Sequence, residues 1–143
     1  MGPARERVYV ALGSNLGDRS AHLQYARQAL AALPGTALIA SSAVEETAPL
    51  AGMDQPPYLN QMVLLETTLT PRAMLEAGQA IEQRAGRVRT ARWGPRTLDI
   101  DIVRFGERRL DEPDLIIPHP GLTNRDFWLR ELAELQPYDR RPT

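Results

Sequence analysis

The chain has 143 residues, 43% of them hydrophobic and 24% charged, and 17 basic against 18 acidic residues leave a formal charge of −1. A chain of this length reads as one soluble globular domain over residues 1–143, able to bury roughly 70% of the surface it exposes when unfolded. It has no cysteine and no lysine, which excludes thiol nucleophiles, disulfides, thiolate metal sites, Schiff-base chemistry and a P-loop lysine.

In chain order, the apolar run VYVAL at residues 8–12 reads as a buried strand, followed by the loop GSNLGDR. Leu23, Ala26, Leu30 and Leu33 then recur at helical spacing behind Ser20 as N-cap, and Pro34-Gly35 ends the pattern. Residues 36–47 alternate as one strand and lead into the loop APLAGMDQPP, long enough to carry function. Residues 58–69 form the next strand. Thr70-Pro71 then caps and opens a second helix whose apolar face is Met74, Leu75, Gly78 and Ile81, with Gly86 ending it. A basic stretch follows. Residues 97–105 alternate strictly, with Leu98, Ile100 and Ile102 on one face and Asp99 and Asp101 on the other. The apolar run LIIPHP and a short helix over residues 124–135 complete the chain.

Strand, helix, strand, strand, helix, strand is the order of the ferredoxin-like βαββαβ arrangement. The expected fold class is therefore α+β, an antiparallel sheet with both helices on one face and a C-terminal extension. No stretch approaches the ~18 apolar residues of a membrane span. Near-zero net charge argues against a nucleic-acid-coating protein, and with no apolar segment of that length the chain is expected to be cytoplasmic without a membrane partner; a monomer is expected.

Two features carry chemistry. Side chains at i and i+2 of a strand share a face about 7 Å apart, so Asp99 and Asp101 can converge on a shared cation. Oxygen ligands suit Mg²⁺, which takes one or two carboxylates and completes its shell with water and substrate phosphates. A solvated outer strand face is the plainer alternative for an isolated Asp-x-Asp. Two acids on one strand face with no intervening cation are nonetheless costly unless something positive lies there. The second feature lies immediately upstream, where RAGRVRTARWGPR places Arg84, Arg87, Arg89, Arg92 and Arg96 without an acid, five planar forks suited to polyphosphate oxygens. Trp93, within this Gly/Pro-containing loop, either packs on the domain surface or closes over a ligand. His119 stands between two prolines, a setting for a positioned polar side chain, and Arg125 and Phe127 supply an anion contact and an aromatic face. Gly13 and Gly17 read chiefly as backbone requirements of a tight strand-to-helix turn. Metal-plus-Arg points to phosphoryl chemistry. An RNA-binding module of the same fold would need an aromatic sheet face and an RNP1 pattern, and this pattern is absent.

The segments GSNLGDR, DQPPYLN, GRVR, RWGPRTLDIDI, IIPHP and NRDF, in this order and spacing, closely resemble the 6-hydroxymethyl-7,8-dihydropterin pyrophosphokinases of folate biosynthesis over about residues 8–135. The resemblance implies ATP as co-substrate, two Mg²⁺ ions, and transfer of the pyrophosphoryl group to the pterin hydroxymethyl oxygen. It makes Asp99 and Asp101 the metal ligands and, with Arg87 and Arg96, the catalytic set. It makes Gln79, Glu82, Arg87, Arg89, Arg92, Trp93, Arg96, Ile102, His119 and Arg125 the nucleotide contacts. For the pterin it implies Asn60 as reader of the amide edge, Tyr58 and Phe127 about the ring, and Thr47, Ala48, Leu50, Trp93 and Asp99 around them.

Overall fold

The computed structural model describes residues 4–48, 56–86 and 97–139. In chain order the elements are β1 (Glu6–Ser14), α1 (Arg19–Ala31), β2 (Thr36–Ser41), β3 (Glu45–Thr47), β4 (Tyr58–Thr67), α2 (Pro71–Arg84), β5 (Asp99–Phe105), β6 (Leu110–Glu112), β7 (Leu115–Ile117) and α3 (Asp126–Leu135). The main sheet runs β2-β4-β1-β5, with β3 pairing β4 beyond the end of β2, and every pairing is antiparallel. This α+β architecture is compatible with the ferredoxin-like arrangement.

The sheet buries both faces. On one, Val8, Val10 and Leu12 of β1, Val63 and Leu65 of β4, and Ile102 and Phe105 of β5 pack against Leu23, Ala26 and Leu30 of α1 and Met74 and Ile81 of α2. On the other, Tyr9, Ala11, Met62, Leu64 and Val103 pack against Trp128, Leu132 and Leu135 of α3. Burial of each large apolar side chain contributes about 1.5–3 kcal/mol. The C-terminal segment is thus a second covering layer: Tyr9 donates from its hydroxyl to Asp139 at 2.9 Å and Arg7 donates to the Tyr138 carbonyl at 3.1 Å.

Local chemistry explains most boundaries. Thr70 caps α2 by accepting from the Ala73 N–H at 3.1 Å, Pro71 occupies the first helical turn, and Gly86 follows the helix at φ +81°. α1 starts earlier than the apolar pattern alone suggests, because Asp18 and not Ser20 is its cap, accepting from Ala21 N–H at 3.1 Å. The expected single strand over residues 36–47 is two. Ser42 interrupts it by turning its hydroxyl inward to accept from the Met62 N–H at 2.9 Å, and β3 resumes pairing at Glu45. A register shift between Leu38 and Ala40 leaves Ile39 37% exposed.

β5 starts at Asp99 rather than residue 97, and its alternation is not strict. Its register against β1 shifts at Tyr9/Val10, so Val103 is the extra residue. Ile102 and Phe105, three apart, consequently share the helix-facing core while Val103 faces α3. The LIIPHP run contributes β7, whose Leu115 and Ile117 are buried and which pairs with β6 in a hairpin that the sequence reading lacked. Arg72 of α2 holds this hairpin through ion pairs with Glu112 and Asp114. No helix among the described residues is long and apolar enough to cross a membrane.

Candidate active site

The site is built on the α3-facing side of the sheet, at the end of β1 where side chains shrink. Along that face β1 presents Tyr9, Ala11 and then Gly13. Gly13 stands opposite Asp99 on one neighbour and Asn60 on the other, and Asn60 in turn stands opposite Glu45. Asp99 and Asn60 are therefore two strand spacings apart, roughly 10 Å, with no side chain between them. A Cβ at Gly13 would lie 3.4 Å from Asn60 Oδ1 and 3.5 Å from Tyr58 Cδ1. Gly13 lies within the strand and not in a turn, which corrects the sequence reading of this residue; Gly17, at φ +72°, is the turn glycine. The taper from Tyr9 to Gly13 is the signal that could have identified it.

Asn60 is 7% exposed and its amide orientation is set locally. Its Nδ2 donates to Thr47 Oγ1 at 2.5 Å, across the β3–β4 pairing. That leaves Oδ1 over the open floor beside Gly13, free in geometry to accept from a planar ligand, and one further N–H to donate. Tyr58 and Phe127 are half-buried about this floor, with Phe127 edge-on to Trp128 at 6.3 Å between ring centroids. The chain entering Tyr58 is fastened from the β1–α1 loop: Asn15 donates to the Pro56 carbonyl at 3.2 Å and Arg19 to the Pro57 carbonyl at 2.9 Å.

At the other side of the floor, Asp99 and Asp101 lie two residues apart on β5, both partly exposed on the same face. Glu82 fixes the strand between them. It is buried on α2, on the opposite side of the sheet, and its Oε2 accepts from the Ile100 N–H at 2.7 Å. Gly78 permits this approach, since a Cβ there would lie 3.2 Å from Ile100 Cγ2.

The carbonyl of the bulged Val103 accepts from the His119 N–H at 2.9 Å, which brings the imidazole alongside the aspartates. His119 Nδ1 accepts from the Gly121 N–H at 2.9 Å, and Nε2 faces Asp101 Oδ1 at 3.8 Å. Burial, and then the Arg125 guanidinium, hold the imidazole below its usual range, so it is neutral near pH 7 with its hydrogen on Nε2. The 3.8 Å contact is accordingly an oriented N–H facing a carboxylate, longer than a hydrogen bond, and not an ion pair. Its ring stands edge-on to Trp128 at 4.9 Å, and Arg125 lies over the same indole at 4.7 Å. Gly121 makes room for that arginine: a Cβ at this position would fall 1.6 Å from an Arg125 terminal nitrogen.

Of the sequence-predicted residues, the fold gathers Asp99, Asp101, His119, Arg125, Phe127, Tyr58, Asn60 and Thr47 about one sheet face, with Ala48 exposed just past β3. Gln79, Glu82 and Ile102 lie on the α2 side: Gln79 is exposed, Glu82 serves the β5 backbone, and the Ile102 side chain is in the core. Leu50, Arg87, Arg89, Arg92, Trp93 and Arg96 fall outside the described residues. The residues flanking the basic stretch are joined, Thr97 donating from its hydroxyl to the Gly86 carbonyl at 3.4 Å. Gly13, Gly121 and Trp128 border the same floor and were not among the sequence-predicted site residues.

Residues 9–137 match the family described as 7,8-dihydro-6-hydroxymethylpterin-pyrophosphokinase. The chain is 49% identical over 137 residues to the 2-amino-4-hydroxy-6-hydroxymethyldihydropteridine pyrophosphokinase of Pseudomonas aeruginosa, covering 96% of this chain and 85% of the relative. It is 43% identical over 131 residues to the like-named protein of Methylorubrum extorquens, covering 92% and 83% of the two chains. For that of Bacillus subtilis the identity is 44% over 131 residues, covering 90% and 77%.

Proposed function

The chain belongs to the 7,8-dihydro-6-hydroxymethylpterin-pyrophosphokinase family, and we propose that it transfers the pyrophosphoryl group of ATP to the hydroxymethyl oxygen of 6-hydroxymethyl-7,8-dihydropterin, giving AMP and the pterin diphosphate in folate biosynthesis. Residues 1–143 act as one pyrophosphokinase domain, on small-molecule substrates and as a monomer in the cytoplasm. The observation that supports the reading is the row Asp99–Gly13–Asn60, which sets a carboxyl group and a buried amide at opposite ends of one open floor.

The donor set fits Mg²⁺: two partly exposed carboxylates on one strand face leave most coordination positions to phosphate oxygens and water. Asp99 and Asp101 would hold two such ions, whose chemistry is neutralisation of the phosphate chain and a lowered cost of hydroxyl deprotonation.

The chain's own residues do the positioning. Asn60 pairs its free carbonyl oxygen and remaining N–H with the amide edge of the pterin, while Tyr58 and Phe127 bracket the ring. Ala48, Leu50, Trp93 and Asp99 complete its surroundings. The hydroxymethyl oxygen attacks the β-phosphorus in line and gives up its proton to water; that P–O bond forms as the bond to the α–β bridging oxygen breaks, and AMP departs. His119 donates from Nε2 and Arg125 pairs with phosphate oxygens from the far side. Gln79, Glu82 and Ile102 line the nucleotide end, and Arg87, Arg89, Arg92 and Arg96 supply clamps for charge spread over the equatorial oxygens.

The test is AMP formation from ATP and the pterin with and without Mg²⁺, comparing the wild type with Asp99→Ala and Asp101→Ala. Magnesium-dependent AMP that both variants lose is the expected result. ADP in place of AMP would mean attack on the other phosphorus and would sink the reading.

A further inference from the structure

α3 presents Glu131 to the interior. The residue is 1% exposed, and neither carboxyl oxygen accepts from any N–H or O–H of the described residues. What faces it is another carboxyl, that of Glu45 on β3. Glu45 is held from its other side by Arg130, also on α3, at 2.7 Å. One turn on, Glu134 accepts from the Ala43 N–H at 2.8 Å, just ahead of β3. Two contacts of one helix thus fall on Glu45, and a third on the residue two positions ahead of it, at a strand only three residues long on the edge of the sheet. That strand matters to the site, because Glu45 pairs with Asn60 in register and Thr47 orients the Asn60 amide.

Two carboxylates cannot face each other in a buried setting. Repulsion and lost hydration are both unfavourable, and Glu131 has no donor among the described residues to offset them, while the Arg130 donor of Glu45 lies on that carboxyl's other side. A single proton resolves the conflict, giving an O–H on one carboxyl and an acceptor on the other. We propose that Glu131 is a positioning residue for the pterin site: its carboxyl shares one proton with that of Glu45 and so holds β3 where Thr47 fixes Asn60. The inference rests on the reading of Asn60 as the pterin's amide reader.

The electrostatics agree with the geometry. Burial first, and then the Glu45 contact, push the Glu131 carboxyl up to about 9, whereas Arg130 and the Glu131 contact outweigh desolvation and hold Glu45 below its usual range. The proton therefore resides on Glu131. The charged groups facing it are Glu45 of β3 and Arg130 and Glu134 of its own helix; Arg130 opposes the rise and Glu134 adds to it. The same helix carries Phe127 in its first turn, so it bounds the site on one side and secures the opposite wall through β3.

The experiment measures KM for the pterin and for ATP between pH 7 and 9.5 in the full chain, for the wild type, Glu131→Gln, Glu131→Leu and Asn60→Ala. Gln donates an N–H without titrating, so Glu131→Gln keeps a wild-type pterin KM at pH 7. Above pH 9 the wild-type pterin KM should rise relative to that of Glu131→Gln by about three- to tenfold, as the pair loses its proton. Glu131→Leu should show a rise of similar size already at pH 7, and the ATP KM should change less than twofold in both. Parallel pH profiles for the wild type and Glu131→Gln would overturn the inference. Should Glu131→Leu not fold, ¹³C NMR of the wild-type carboxyls decides, since titration of Glu131 in the ordinary glutamate range overturns it and titration near pH 9 supports it. Asn60→Ala separates the two failures. If it raises the pterin KM while the Glu131 variants do not, only the positioning role fails; if it leaves the pterin KM unchanged, the reading of Asn60 fails and the inference with it.

Discussion

Replacing Glu131 by Gln should change how the stability of the fold depends on pH, apart from any effect on activity. In the folded chain burial raises this carboxyl from 4.5 to about 9. The unfolded chain releases its proton near 4.5, so between these values the folded state binds one more proton than the unfolded state. Its contribution to stability is thus fully present below pH 4.5 and declines as pH rises toward 9. One proton corresponds to about 1.4 kcal/mol per pH unit, or roughly 2.5 kcal/mol between pH 6 and pH 8. Glu45, held below its usual range, is ionised in both states by pH 6 and adds no slope in that interval. His119, held below its usual range by burial and then by Arg125, behaves identically in both proteins and cancels in the difference. Urea unfolding at pH 6, 7 and 8, followed by far-UV circular dichroism, gives the two curves. Glu131→Gln should gain roughly 2.5 kcal/mol on the wild type across this range. Parallel curves would refute the protonated assignment of Glu131 and the argument from burial behind it.

Two glycines give independent predictions. Gly121→Ala places a methyl group 1.6 Å from an Arg125 terminal nitrogen and 3.1 Å from His119 Nδ1, so the guanidinium must swing away. ATP KM should rise about tenfold or more, with a melting temperature close to the wild type because the moving atoms end a flexible side chain. At Gly13 an alanine Cβ meets Asn60 Oδ1 at 3.4 Å and Tyr58 at 3.5 Å, so Gly13→Ala should leave pterin KM within about threefold, and Gly13→Val should raise it by at least about tenfold with little change in ATP KM. Steady-state kinetics with each substrate varied in turn checks both.

What could be read from the sequence depended on the range of the interaction. Thr70, Pro71 and Gly86 bound α2 through contacts within a turn, and their residue types announce this directly. Asp99 and Asp101 are as plain, because i and i+2 of a strand share a face whatever the strand pairs with. The bulge at Val103 was hidden, since an alternating string does not show where a partner strand slips by one. The break at Ser42 was hidden for the same reason: it depends on a hydroxyl reaching Met62 on β4. Asn60 entered only through resemblance, because its place opposite Gly13 is a matter of β1–β4 register. Glu131 looks like any helix-surface acid in the sequence, and only the docking of α3 on the second sheet face puts it inside.

The taper of Tyr9, Ala11 and Gly13 along one face of β1 divides labour along a single strand. At the Tyr9 end the side chains are core, and a substitution there is paid in folding free energy. At the Gly13 end the same row is bare, and a substitution there obstructs a ligand while leaving the fold standing. Between the two lie only three residues of central strand, paired with β4 without interruption and with no loop or hinge. The floor therefore inherits the stiffness of the sheet, and substrate placement should tolerate drift at the chain's surface far better than any change in how β1, β4 and β5 are aligned.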